Sequence, residues 1–170
     1  MKNRLSKTIL ILVVLVLLPV SMLSAKAVEF SANDIDGKTI TSDIFKDSKL
    51  TMVNIWATYC NPCLSEMPFL AQIAKERDPK EFQMIGIISD VPENISSKDR
   101  DIIKDFLDTV GSEYPHLLLN QSLYNSIVAG TMAVPTTLFI DSNGEVVASV
   151  IGSNSKAKWD KKINEVLKKL

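Results

Sequence analysis

The chain is poor in the residues that build metal centres: Cys60 and Cys63 are its only cysteines and His116 its only histidine among 170 residues. A closed tetrahedral zinc site takes four protein ligands, so the pair reads at most as half of one. A framework of several disulfides is excluded by the same count. No cysteine precedes Cys60, so the acylated cysteine of a bacterial lipoprotein signal is missing and a lipid anchor is not expected. Internal repeats and low-complexity segments are absent as well.

Long hydrophobic runs are scarce too, and the one present stands at the amino terminus. Lys2, Arg4 and Lys7 precede an apolar run from Ile9 to Leu18, which Pro19 and Val20 end. Ala25-Lys26-Ala27 then puts small residues at the two positions a signal peptidase reads. This layout predicts a signal peptide over residues 1–27, cleaved after Ala27. The run reaches the roughly 20 residues of a membrane span only by including Ser21, Ser24 and Lys26, which makes an uncleaved anchor the second reading. Residues 28–170 are a length suited to one domain with a single core. The leader holds four of the 19 basic residues and none of the 20 acidic ones, so the remainder carries a formal charge of −5. Nucleic acid is a poor partner for such a surface.

The elements then follow from periodicity. Lys49 to Trp56 is apolar and rich in β-formers, as a strand covered on both faces is. After Cys63, the apolar residues Leu64, Met67, Leu70, Ala71 and Ala74 mark a helix ending near Asp78-Pro79, with Pro68 kinking it. Phe82 to Ser89 reads as a second buried strand, followed by a loop through Val91-Pro92-Glu93-Asn94. Ser96 or Ser97 caps a scaffold helix striped by Ile102, Ile103, Phe106, Leu107 and Val110 and stopped by Gly111. His116 to Leu119 is a short strand and Gln121 to Ala129 a short helix. Thr136–Asp141 and Glu145–Ile151 flank Ser142-Asn143-Gly144, where Asn-Gly supplies the positive φ angles of a tight turn that closes a hairpin. Trp159, Ile163, Val166, Leu167 and Leu170 mark a last helix, whose lysine-rich outer face is solvated. Phe30–Asn33 and Lys38–Thr41 around Asp36-Gly37 predict an amino-terminal hairpin. The alternation gives an α/β chain, a three-layer sandwich with a mixed sheet.

Cys60 and Cys63 sit where the first long strand gives way to a helix. A cysteine at a helix amino terminus faces unpaired N–H groups and the positive end of the helix dipole, which stabilise its thiolate. Pro62 suits the first helical turn, leaving Cys60 at the exposed end and Cys63 more buried. The asymmetry assigns roles: Cys60 attacks a disulfide, and Cys63 resolves the mixed disulfide, or the reverse in oxidation. A structural disulfide is the plainer alternative, but closing so short a loop removes little chain entropy.

At Val53-Asn-Ile-Trp-Ala-Thr-Tyr-Cys-Asn-Pro-Cys63, Glu66-Met-Pro68, Val134-Pro-Thr-Thr-Leu-Phe-Ile-Asp141 and Asn143-Gly144, the chain resembles the thioredoxin superfamily. Within it, the resemblance is to the exported TlpA-like and ResA-like thiol-disulfide reductases. It covers Phe30 to Leu170 and implies a thioredoxin fold with an amino-terminal β-hairpin and an inserted helix. It also implies a cis Val134-Pro135 bond beside the cysteines, with the backbone of Val134 pairing with an extended substrate segment and Tyr59 and Trp56 contributing to substrate binding. Glu66 matches an acidic residue that manages the protons of the cysteines; a surface glutamate in a first helical turn is the plainer alternative. Asn54 stands where ordinary thioredoxins carry a buried aspartate, and it cannot titrate. Tyr59 replaces a usual tryptophan, and the Tyr124–Pro135 connection is several residues longer than in relatives.

The resemblance implies reduction of protein disulfides, with apocytochrome c or another exported protein as substrate and a membrane thiol carrier as electron donor. It implies a monomer in the periplasm or on the outer face of a bacterial membrane, with no cofactor or metal beyond the redox-active Cys60–Cys63 pair. Thiol oxidation or disulfide isomerisation is the nearest alternative, since potentials in this fold span about −270 to −120 mV. A peroxiredoxin-type peroxidase needs Pro-x-x-x-Thr-x-x-Cys, and Thr58 has the wrong spacing from Cys60. A Sco-like copper module needs two cysteines with three residues between them plus a late histidine, and neither condition is met. A redox-inert holdase remains open at this level.

Overall fold

The computed structural model describes residues 27–170, so residues 1–26 of the expected leader lie outside the described residues. In chain order the elements are β1 (Ser31–Asn33), β2 (Thr39–Thr41), a 3-10 turn (Ser42–Asp47), β3 (Leu50–Trp56), α1 (Asn61–Glu76) and β4 (Phe82–Pro92). There follow α2 (Ser97–Thr109), β5 (His116–Leu119), α3 (Gln121–Ser126), a 3-10 turn (Val128–Gly130), β6 (Thr136–Asp141), β7 (Val146–Ile151) and α4 (Lys156–Leu167). No helix among the described residues is long and apolar enough to cross a membrane.

The main sheet has the order β5-β4-β3-β6-β7. β4 runs parallel to β3 and to β5, whereas β6 is antiparallel to β3 and β7. β3 is therefore central, and every one of its residues is buried. Alternate side chains serve opposite faces. Leu50 and Met52 pack against Leu70 and Ile73 of α1 and Trp159 and Ile163 of α4. Trp56, at the end of the same row, meets Cys63 and Met67 of α1 and Ile103 and Leu107 of α2. Val53 and Ile55 point the other way, to Phe30, Ile40, Phe45 and Leu123. The result is the three-layer α/β sandwich that the alternation predicts, in the thioredoxin-like form that the resemblance implies, with α1, α2 and α4 on one face and the amino-terminal hairpin, first 3-10 turn and α3 on the other.

Several local expectations are corrected. The segment expected as a loop from Val91 continues β4 to Pro92, with an irregularity in register between Ile88 and Pro92. The strand survives because Val91 is buried and the Glu93 N–H donates to Leu119 O at 3.3 Å. α1 ends at Glu76, and its buried face is Cys63, Glu66, Met67, Leu70, Ala71 and Ile73, flanked by the expected Leu64 and Ala74, which pack half-buried against the core. The apolar stripe leaves out Ile73 and the polar Glu66, which tertiary contacts bury. The helix expected over Gln121–Ala129 stops at Ser126 and resumes as a 3-10 turn. In the β6–β7 connection only Gly144 has positive φ (81°). There the Asp141 carboxylate accepts the Asn143 and Glu145 N–H groups, both at 2.9 Å, and so organises the turn.

Leu70 is fully buried between the sheet and α4, where truncation leaves a cavity that packed neighbours fill only in part. Leu70→Ala should lower the unfolding free energy by about 2–5 kcal/mol in urea titration of the oxidised protein. A loss well under about 1 kcal/mol would contradict this packing.

Candidate active site

The strand-to-helix junction after β3 builds the site. Cys60 has extended backbone angles (φ −88°, ψ 91°) and caps α1, its Sγ accepting the Cys63 N–H at 3.3 Å. Pro62 lies in the first turn, where an N–H would have no helical partner. The two sulfurs are joined in a disulfide, with Sγ–Sγ at 2.01 Å and Cα–Cα at 5.3 Å. Cys60 is 7% exposed and Cys63 not at all. The order of exposure is the one the helix position predicts, but Cys60 shows far less surface than an exposed helix end suggests, because it packs among Trp56, Ala57 and Met67.

The loop before Cys60 is pinned at successive points. The Ser89 hydroxyl donates to Trp56 O at 2.9 Å, and the Cys60 N–H donates to Ala57 O at 3.1 Å. Asp90, at the end of β4, accepts the Thr58 N–H through both oxygens at 3.1 Å and the Thr58 hydroxyl at 2.5 Å. The loop thus presents Tyr59, 74% exposed, beside the disulfide. Trp56 behaves differently from the substrate contact expected of it: at 1% exposure its indole lies within the fold and supports the site from beneath. It is the floor of a cavity of about 140 Å³, walled by Leu64, Ile102 and Phe106. A groove of about 460 Å³ between Asp90, Ile95 and Asp99 adjoins it through Thr58, Ile102 and Ile103. α2, which reads from sequence as scaffold alone, therefore lines the surface next to the cysteines. Its adjacent apolar pair Ile102-Ile103, wider than a one-faced stripe needs, was the available signal. Asp90 offered none, because its role depends on where β4 ends relative to Thr58.

Glu66 is not on the surface. It is 2% exposed and faces the sheet and the β7–α4 loop. Its Oε2 accepts the Asn154 N–H at 3.0 Å and the Trp159 indole N–H at 3.1 Å, and its Oε1 accepts from Asn54 Nδ2 at 3.4 Å. Burial pushes its carboxyl above the ordinary glutamate value, and the hydrogen bonds to Asn154, Trp159 and Asn54 offset part of that rise. Asn54 also donates to Thr137 Oγ1 at 3.2 Å, while its own Oδ1 is buried without a partner. Asn154 and Trp159 were not foreseen as partners; Trp159 reads from periodicity only as a core residue.

The Val134–Pro135 peptide bond is cis. Ile55 pairs with Thr136 across the sheet, so the next residues outward are Trp56 and Pro135, which brings the bond to the end of the sheet that carries the cysteines. Val134, half-buried, packs against the same cluster as Cys60. Thr136 Oγ1 donates to Ala133 O at 2.6 Å and Gly152 N–H to Pro135 O at 2.8 Å, holding the bend from both sides. The longer connection ahead of it places Met132 in solvent, 89% exposed.

Residues 23–149 match the model of the AhpC/TSA family. The thiol-disulfide oxidoreductase ResA of Bacillus anthracis is 28% identical over 137 residues, which cover 79% of this chain and 73% of that protein. The thiol:disulfide interchange protein DsbE of Pasteurella multocida is 28% identical over 128 residues, 75% of this chain and 65% of that one. Among solved structures, a thiol:disulfide interchange protein of the thioredoxin family from Chlorobium tepidum superposes with a TM-score of 0.68 at 29% identity, covering 84% of this chain and 96% of that one. With its capped Cys60–Cys63 pair on a thioredoxin-like sheet, the chain belongs to the AhpC/TSA family and is a thiol-disulfide oxidoreductase of the ResA/DsbE type.

Proposed function

We propose that the protein is an exported reductase of protein disulfides in which Cys60 attacks and Cys63 resolves. The observation that carries the roles is the capping geometry: the Cys63 N–H is directed at Cys60 Sγ, and Cys60 is the more accessible sulfur. A developing thiolate on Cys60 would be held by that N–H and by the helix amino terminus. In the reduced protein the Cys60 thiolate attacks one sulfur of a substrate disulfide and releases the other as a thiol. Cys63 then loses its proton and attacks Cys60 Sγ, freeing the second substrate sulfur. Two electrons pass to the substrate, and the protein ends as the disulfide seen here.

Glu66 is the proton carrier in this scheme. It lies one helical turn from Cys63 on the inward face of α1, and burial already favours its protonated form. Its negative charge also works against a thiolate on Cys63, which favours the disulfide and hence the reducing direction. Val134 offers its backbone to an extended segment of the substrate, with Tyr59 alongside and Pro135 fixing the bend. Export rests on the leader-like residues 1–27. Operating as a reductant in an oxidising compartment calls for electrons from a membrane thiol carrier, acting on a monomer.

A redox titration against glutathione and dithiothreitol, followed by thiol labelling, should give a potential near about −270 mV; one above about −150 mV would make the protein an oxidase. Cys63→Ser should accumulate mixed disulfides through Cys60. Accumulation by Cys60→Ser instead would reverse the roles.

Because the Glu66 carboxyl is raised in the fold, its proton favours the folded state. That contribution is whole at pH values below the unfolded glutamate value and is lost as pH rises through the folded one. Glu66→Gln removes the dependence, so urea unfolding should show the variant gaining stability relative to the parent between acid and neutral pH. The opposite trend would mean that hydrogen bonding, not burial, governs the carboxyl.

A further inference from the structure

We infer that His116 is a positioning residue of the exchange site, holding the Trp56 indole that floors the Cys60 loop. His116 is buried on β5 at the position paired with Gly86 of β4. Its Nδ1 lies 3.2 Å from Trp56 Nε1, and its Nε2 lies 2.7 Å from Ser112 Oγ. An indole N–H can only donate, so Nδ1 must be the acceptor. The ring proton therefore sits on Nε2 and points to Ser112. Both ring nitrogens are committed, and only the neutral tautomer satisfies them. Burial agrees, lowering the imidazole to about 3.

The surroundings are shaped for this ring. A Cβ at Gly86 would stand 2.2 Å from His116 Nδ1 and 2.7 Å from Cε1, so the imidazole occupies space that any larger residue at 86 would take. Tyr114 stacks on its other side, with ring centroids 4.6 Å apart, and the Tyr114 hydroxyl donates to Met67 Sδ at 3.2 Å, four residues beyond Cys63. Leu117, Leu118 and Leu119 continue β5 as plain hydrocarbon. What histidine adds at 116 is an acceptor for the Trp56 N–H, which would otherwise be buried unpaired. Trp56 is the last residue of β3 and packs directly among Cys60, Cys63 and Met67. Fixing its indole fixes the surface against which the Cys60 loop rests, and small displacements of a reacting group are expensive in rate. The inference rests on thiol-disulfide exchange at Cys60–Cys63 but not on its direction.

The test compares His116→Leu with His116→Gln, whose side-chain amide can again accept from the indole. The readouts are the Trp56 Nε1–H signal in ¹H–¹⁵N spectra, the rate of exchange with oxidised glutathione, and the equilibrium constant of that exchange. His116→Leu should move the Trp56 signal and slow exchange about tenfold, with the equilibrium constant changed by less than about twofold because packing of the disulfide and dithiol is affected alike. His116→Gln should restore signal and rate. Gly86→Ala, which drives the imidazole from its place, should slow exchange with the histidine still present, and adding His116→Ala should cause no further loss. An unchanged rate in His116→Leu, or equal slowing by leucine and glutamine with the Trp56 signal in its parental place, would overturn the inference. Should His116→Leu not fold, Gly86→Ala carries the test, and an unmoved Trp56 signal with a parental rate in that variant would overturn the inference equally. If the parent protein exchanges no thiols, the reading of the site fails instead, and the Trp56 signal still reports whether His116 holds the indole.

Discussion

The hydrogen bond from the Cys63 N–H to Cys60 Sγ depends on a junction that both local and tertiary forces must satisfy. Locally, Asn61 and Pro62 start a helix whose first N–H groups have no partners, and the sulfur of Cys60 takes one of them. Globally, the helix can begin there only because β3 ends at Trp56 and the four residues from Ala57 to Cys60 cross from sheet to helix layer. Asp90, Ser89 and Ala57 hold that crossing. A shift of β4 by one residue along β3 would turn Asp90 away from Thr58 and release the loop.

Beneath the junction the interior holds a buried carboxyl and a buried imidazole, and each is handled in a different way. Glu66 is a buried carboxyl with three donors around it. Those bonds temper the cost of burying a charge but do not cancel it, and the group is left easier to protonate than a surface glutamate. His116 is a buried base with one donor and one hydroxyl at its ring nitrogens, an arrangement that only the neutral ring fits. One site is thereby suited to proton movement and the other to staying put. They lie on the same face of the sheet, Glu66 bonded to Asn54 and His116 to Trp56, two residues apart on β3.

A fold by itself does not fix a chemistry, so the cysteines and their neighbours decide what this chain does. Thr58 stands two residues before Cys60, and its hydroxyl is taken by Asp90. The pair Cys60–Cys63 closes a disulfide within one helical turn, as dithiol exchange requires.

Much of the fold was legible because it follows from short-range rules. The buried run of β3, the serine cap and glycine stop of α2, and the order of strands and helices all come from periodicity and capping. The cysteine pair and its asymmetry were legible for the same reason, being set by Pro62 and the helix start. What the sequence by itself determined was thus the set of elements, the reactive pair and the end of the helix on which it sits. The tertiary structure alone decided the surroundings. Only it turned Glu66 inward onto Asn154 and Trp159, carried β4 on to Asp90, drew Trp56 into the interior and closed Gly86 over His116. Each of these joins residues at least 30 positions apart or sets the burial of a polar group, and neither quantity has a local signal. Periodicity reports which face a residue shares with its neighbours, whereas the partner across the layer is fixed only when sheet register and helix packing are satisfied together.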